Sequence, residues 1–211
     1  MLKRLKEINS EEYWNVTSHA WGCILSLLGT VIMLRKATSN PNGNSLIAVS
    51  VFCLSLVLLF AASSSFHYYW DKPYRHKIRV LDHICIFYLI AGTYTPFMIL
   101  LYDNEIGHFF LKALWLTAAF GTVFKFFFTG KYEYVSLALY LGMGWLVVLR
   151  FDALLEYTPF ISLVFLILGG LSYSIGVYFY ANDQKPYYHP IWHVFVLGGA
   201  FSHYLSIYFF L

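Results

Sequence analysis

Seven apolar runs of about 16 to 24 residues, separated by short polar stretches, constrain this chain more than any other feature. A bilayer core roughly 30 Å thick takes about 20 apolar residues of helix to cross. Residues 18–34, 45–66, 80–101, 109–128, 134–149, 160–180 and 188–211 come close to that length. The breaks between them are explicit. Arg35-Lys36 closes the first run, and Asn40-Pro41-Asn42-Gly43-Asn44 is a turn. A charged loop at residues 71–77 follows the second run. Pro96 predicts a kink in the third, Lys125 sits near the end of the fourth, and Arg150 ends the short fifth. The pattern predicts an all-α polytopic membrane protein: one seven-helix transmembrane bundle over residues 1–211, with a short N-terminal segment at residues 1–17.

Composition agrees. Only 12% of residues are charged, against about 25% in a soluble domain. A net charge of +3 is too small to suggest a nucleic-acid partner. Cys23, Cys53 and Cys85 all fall inside apolar runs and read as packing residues, not disulfides. No cleavable signal peptide is expected, because polar residues through Asn15 separate the basic start from the first apolar run.

Lysine and arginine set the orientation. The N-terminus and the loops after runs two, four and six hold Lys3, Arg4, Lys6, Lys72, Arg75, Lys77, Arg79, Lys125, Lys131 and Lys185; the other side holds Arg35, Lys36, Lys112 and Arg150. Ten against four puts the N-terminus in the cytoplasm and the C-terminus outside, in the plasma (inner) membrane. Tyr13, Trp14, Tyr68, Tyr69, Trp70, Tyr187 and Tyr188 gather near run ends as an interfacial belt. Gly169-Gly170 and Gly198-Gly199 let helices approach closely. The sequon Asn15-Val16-Thr17 falls on the predicted cytoplasmic side and reads as chance.

Alternating topology brings most of the polar side chains of these runs to one level, just inside the cytoplasmic face. Ionisable groups at membrane depth are costly and mark function. That layer holds Asn15, Ser18 and His19 from run one, Ser63 and His67 from run two, Asp82 and His83 from run three, and His189 and His193 from run seven. His189 and His193 are four apart, one helical turn, and can share a metal ion. His67, His189 and His193 make a three-imidazole set, which suits zinc with one open position. Asp82 would then stand beside the metal and orient or deprotonate its water. Ser63, one turn before His67, would hydrogen-bond a ligand or steady an oxyanion. Other histidines read more plainly: His19 equally as a cap, an interfacial residue or a ligand; His83 as facing solvent beside Asp82; His76 as solvated; His203 as a hydrogen-bonded interior residue.

The stretches Glu12-x-x-Asn15-x-x-Ser18-His19, Ser63-x-x-x-His67, Leu81-Asp82-His83 with Ala91-Gly92-Thr93-Tyr94-Thr95-Pro96-Phe97, Met143-Gly144-Trp145, and His189-Pro190-Ile191-Trp192-His193 with Gly198-Gly199 and His203 span nearly the whole chain. In these stretches the chain resembles the hemolysin III family, within the progestin and adipoQ receptor group, itself related to alkaline ceramidases. The resemblance implies a seven-helix bundle with a cytoplasmic N-terminus. It also implies zinc held by His67, His189 and His193, with Asp82 near the metal's water and Ser63 beside it. The function expected is a zinc-dependent hydrolase acting on a ceramide-like membrane lipid amide and affecting lipid homeostasis. The alternative is a non-enzymatic protein: a pore-forming cytolysin, or a sensor of membrane fluidity. A purely structural zinc is a third reading.

Overall fold

A computed structural model describes residues 9–211. The start of the expected N-terminal segment, with Lys3, Arg4 and Lys6, lies outside the described residues. All seven apolar runs are helical. In chain order they are α1 (Ser10–Thr38), α2 (Ser45–Tyr68), α3 (Arg75–Leu100), α4 (Glu105–Phe128) and α5 (Glu133–Gly144), which a 3-10 turn (Leu146–Arg150) continues. A short α6 (Phe151–Tyr157) follows, then α7 (Phe160–Tyr180) and α8 (Tyr188–Phe210). With α5 and its 3-10 turn taken as one span, seven helices among the described residues are long and apolar enough to cross a membrane. No strand occurs among the described residues. The chain is an all-α, multi-pass membrane protein.

Polar ends extend several helices beyond the apolar runs. α1 begins at Ser10 rather than near residue 18. Asn9 caps it by accepting from the Glu12 amide (2.8 Å), and Glu11 and Glu12 in the first turn oppose the dipole that Arg35 and Lys36 meet in the last. Asn15 and His19 face inward here, so the helix continues although its sequence is polar. With Asn15 buried in a helix, the sequon presents no acceptor. α3 likewise starts at Arg75, and it runs through Pro96 to Leu100 without ending.

α3 is the most buried span and α2 the next. α1 packs against α2 and α8, α3 against α2 and α4, and α7 against α8. Phe52, Phe60, Phe87, Met33 and Leu114 fill the centre. The α7–α8 approach is close: a Cβ at Gly169 would meet the His203 ring at 2.2 Å, and one at Gly199 would meet Tyr173 at 2.7 Å. The expected Gly pairs do not act alike, because Gly170 faces Trp145 instead. His203 is interior, with Nε2 3.2 Å from the Leu166 carbonyl. The three cysteines are free.

The fifth span breaks where α5 ends. The Tyr94 hydroxyl on α3 donates to the Gly144 carbonyl (2.9 Å) and accepts from the Val147 amide (3.0 Å). Irregular backbone at membrane depth needs such partners, since lipid offers none. A buried tyrosine therefore holds the fifth span together across its break.

Candidate metal centre

Three imidazoles meet where α2 ends and α8 begins. His67 is in the last turn of α2, and His189 and His193 occupy the first two turns of α8. α1 lies against both helices and brings those ends together. α8 starts after Tyr187, which has a left-handed φ of 62°. The Tyr187 hydroxyl is 2.8 Å from Ser10 Oγ on α1, which fixes where α8 enters. Pro190 falls in the first turn of α8, where a missing amide hydrogen does no harm.

Ring centroids are 5.1 Å apart for His67 and His189, 5.0 Å for His67 and His193, and 4.9 Å for His189 and His193. One nitrogen from each ring lies within 4.8 Å of the others. On a shared zinc, with Zn–N near 2.0–2.1 Å, such nitrogens stand roughly 3.3 Å apart, so modest side-chain rotation closes the set.

Each ring turns its Nδ1 outward to an oxygen. His67 Nδ1 is 2.6 Å from Glu12 Oε2, His193 Nδ1 is 3.2 Å from Ser18 Oγ, and His189 Nδ1 is 3.7 Å from Asp183 Oδ2. That imidazole holds the Asp183 carboxyl, in the loop before α8, below the usual carboxylate range. The Nε2 atoms of His67 and His193 are buried with no hydrogen-bond partner. Buried polar atoms normally find partners, and Nε2 of the neighbouring His19 lacks one as well, so these orphaned nitrogens call for an explanation. The three histidines could hold a metal ion, and the outward oxygens would then steady the ligands.

Beside this set lie the other predicted residues. His19 is 1% exposed, so it is neither a cap nor an interfacial residue. Its ring stacks on His193 at 3.6 Å with a 7° interplanar angle, and its Nδ1 is 2.7 Å from Ser63 Oγ. Ser63 and Asp82 are buried and line one end of an apolar cavity of about 200 Å³. The cavity stops one side chain short of the three histidines. His19, stacked on His193, and Trp192, against His189, form its wall there. It extends along the bundle past Phe97, which α3 places about 22 Å from Asp82.

His83 departs from expectation. It is 7% exposed and does not face solvent. It belongs to a second charged cluster at the same end of the bundle, built around Glu133 at the start of α5. Glu133 Oε2 accepts from Lys125 Nζ at 2.5 Å, and Oε1 accepts from the Gly130 amide at 2.8 Å. Arg79 and His83 Nδ1 each approach the same carboxylate at 3.6 Å. His76, by contrast, is exposed as expected.

Sequence reasoning missed the role of Glu12, placing it in a polar tail. Glu12 Oε2 meets His67 while Oε1 accepts from Arg75 at 2.7 Å. The signal was spacing: Glu12, Asn15 and His19 fall at i, i+3 and i+7, one face of a helix.

Comparison with known proteins gives a consistent result. Residues 8–204 match the family described as Haemolysin-III related. The chain is 33% identical over 199 residues to Hemolysin-3 of Bacillus cereus, covering 94% of this chain and 91% of that protein. It is 33% identical over 200 residues to the Hemolysin-3 homolog of Bacillus subtilis (strain 168), covering 95% and 94%. It is 30% identical over 210 residues to the human Monocyte to macrophage differentiation factor, covering 97% and 86%.

Proposed function

The chain belongs to the haemolysin-III-related family, and from that premise we propose that it is a zinc-dependent hydrolase cleaving a lipid amide within the bilayer. The observation that carries the reading is the pair of orphaned Nε2 atoms, on His67 and His193, beside a cavity whose polar end is Asp82 and Ser63. The donor set fits zinc: three imidazoles, no cysteine, and an outward oxygen for each ring. When bound there by His67, His189 and His193, zinc supplies Lewis acidity to polarise a carbonyl and activate water.

The protein's own groups do the rest. The apolar cavity takes an acyl chain and excludes bulk water. Asp82 accepts the proton that the attacking water loses as the carbonyl carbon gains oxygen. It then returns that proton to nitrogen as the C–N bond breaks, leaving a fatty acid and an amine. With His19 protonated at Nδ1, Ser63 Oγ accepts from it and keeps its own hydrogen for Asp82 or the developing oxyanion. The lysine and arginine asymmetry supports a cytoplasmic placing of this end, in the plasma membrane, with residues 1–211 forming one domain. The name of the Bacillus cereus relative speaks of lysis. The apolar lining of the cavity supports a lipid occupant over an ion path.

The test is fatty-acid release from N-acyl sphingoid lipids by purified protein in lipid nanodiscs. Release is expected from wild type, and only background from Asp82→Asn. Equal release from both, or none from zinc-loaded wild type across a panel of N-acyl lipids, would refute the hydrolase reading.

A further inference from the structure

We propose that Glu12 is a positioning residue that selects which nitrogen of His67 is free to take a metal. The proposal rests on the reading that His67, His189 and His193 form the metal site, and it adds a residue from α1. A neutral imidazole has one N–H and one lone pair, and an ionised carboxylate only accepts. At 2.6 Å from Glu12 Oε2, His67 Nδ1 must carry the hydrogen. The lone pair is then on Nε2, the buried atom without a partner.

Glu12 is itself held as an acceptor. Arg75 donates to Oε1 at 2.7 Å, and Asn15 Nδ2 donates to Oε2 at 3.3 Å. The Arg75 guanidinium lies over the Phe66 ring at 4.6 Å, next in sequence to His67. The carboxylate therefore joins α1, α2 and α3 at one point, and its geometry is fixed from three sides.

The three ligands are not equally served. His193 Nδ1 lies 3.2 Å from a hydroxyl, and His189 faces the half-exposed Asp183 at 3.7 Å. Those two share one helix and are aligned by it. His67 comes from a different helix, and it alone has a short bond to a largely buried carboxylate. The ligand with least help from its own helix receives the strongest outer contact.

Two readouts test this without any substrate. The first is the ring tautomer of His67 in metal-free, 15N-histidine-labelled protein, read from its two-bond nitrogen–proton correlations. The second is zinc affinity by competition with a chelator. Wild type is expected to show the Nδ1–H form. Glu12→Ala should lose that fixed pattern and weaken zinc binding about 10- to 100-fold. Glu12→Gln, whose amide oxygen still accepts, should keep the tautomer and fall between the two. An Nε2–H tautomer in wild type overturns the proposal. So does folded Glu12→Ala with wild-type zinc affinity. If Glu12→Ala does not fold, the wild-type tautomer and the Glu12→Gln affinity decide. Wild type that binds no zinc overturns the metal reading, while the tautomer still reports on Glu12 alone.

Discussion

Two polar clusters share one end of this bundle, and they are built on opposite plans. Around Glu133, cations converge on an anion: Lys125 at 2.5 Å, Arg79 at 3.6 Å and a backbone amide at 2.8 Å. Charge meets charge, and the partly exposed carboxylate is engaged at both oxygens. Around His67, His189 and His193, acceptors converge on acceptors. Oxygens stand outside the rings near Nδ1, and the buried Nε2 atoms of His67 and His193 have no hydrogen-bond partner in the chain. Burying a charge is tolerable when it is paired, and the first cluster satisfies that rule with its own residues. The second leaves ring nitrogens that could hold a metal ion. Burial alone marks neither as functional. The distinguishing property is that opposite charges pair in the first, while imidazoles gather on one another in the second; His83 Nδ1 in the first also lacks a hydrogen-bond partner.

The contrast can be broken most decisively at His193. His193→Ala should abolish zinc binding and reduce lipid-amide hydrolysis to background, with the helical circular-dichroism spectrum intact. If zinc stays bound, the two clusters are not different in kind. Asp82→Asn comes next. Turnover should fall about 10²- to 10⁴-fold with zinc content unchanged, since Asp82 serves as base and not as ligand. Loss of zinc in that variant would move Asp82 into the ligand set.

Glu133→Gln probes the closed cluster. It leaves Lys125, with its side chain 0% exposed, as an uncompensated cation. The expected loss is about 3 kcal/mol of stability in a denaturant titration, with metal content preserved. Unchanged stability would mean that Lys125 finds another partner. The smallest effect should come from Gly169→Ala, where the new methyl meets the His203 ring. Overpacking of this kind costs about 1–3 kcal/mol, and it should leave both clusters working.

Much of this was legible in the sequence, and the exceptions have physical reasons. The seven spans follow from hydropathy, because lipid demands long apolar helices. Their ends do not. α1 starts at Ser10 because its first turns bury Asn15 and His19 against other helices, and a hydropathy count scores such residues against the span. The break after Gly144 depends on Tyr94, fifty residues earlier, which no local pattern could announce. For the site, alternating topology was enough to bring His67, Asp82 and His189 to one level. Whether a side chain faces the interior is decided by packing: His83 turned to Glu133 and His19 turned inward onto His193. Glu12 lay hidden because it precedes the first apolar run in a polar stretch, and only the extension of α1 back to Ser10 brings it across to α2.

The role proposed for the three-histidine cluster is to hold a metal. Elemental analysis of the purified protein tests it most directly. A single zinc per chain is expected in wild type and none in folded His193→Ala. Wild-type protein that stays metal-free when offered zinc, or His193→Ala that keeps its zinc, would contradict it.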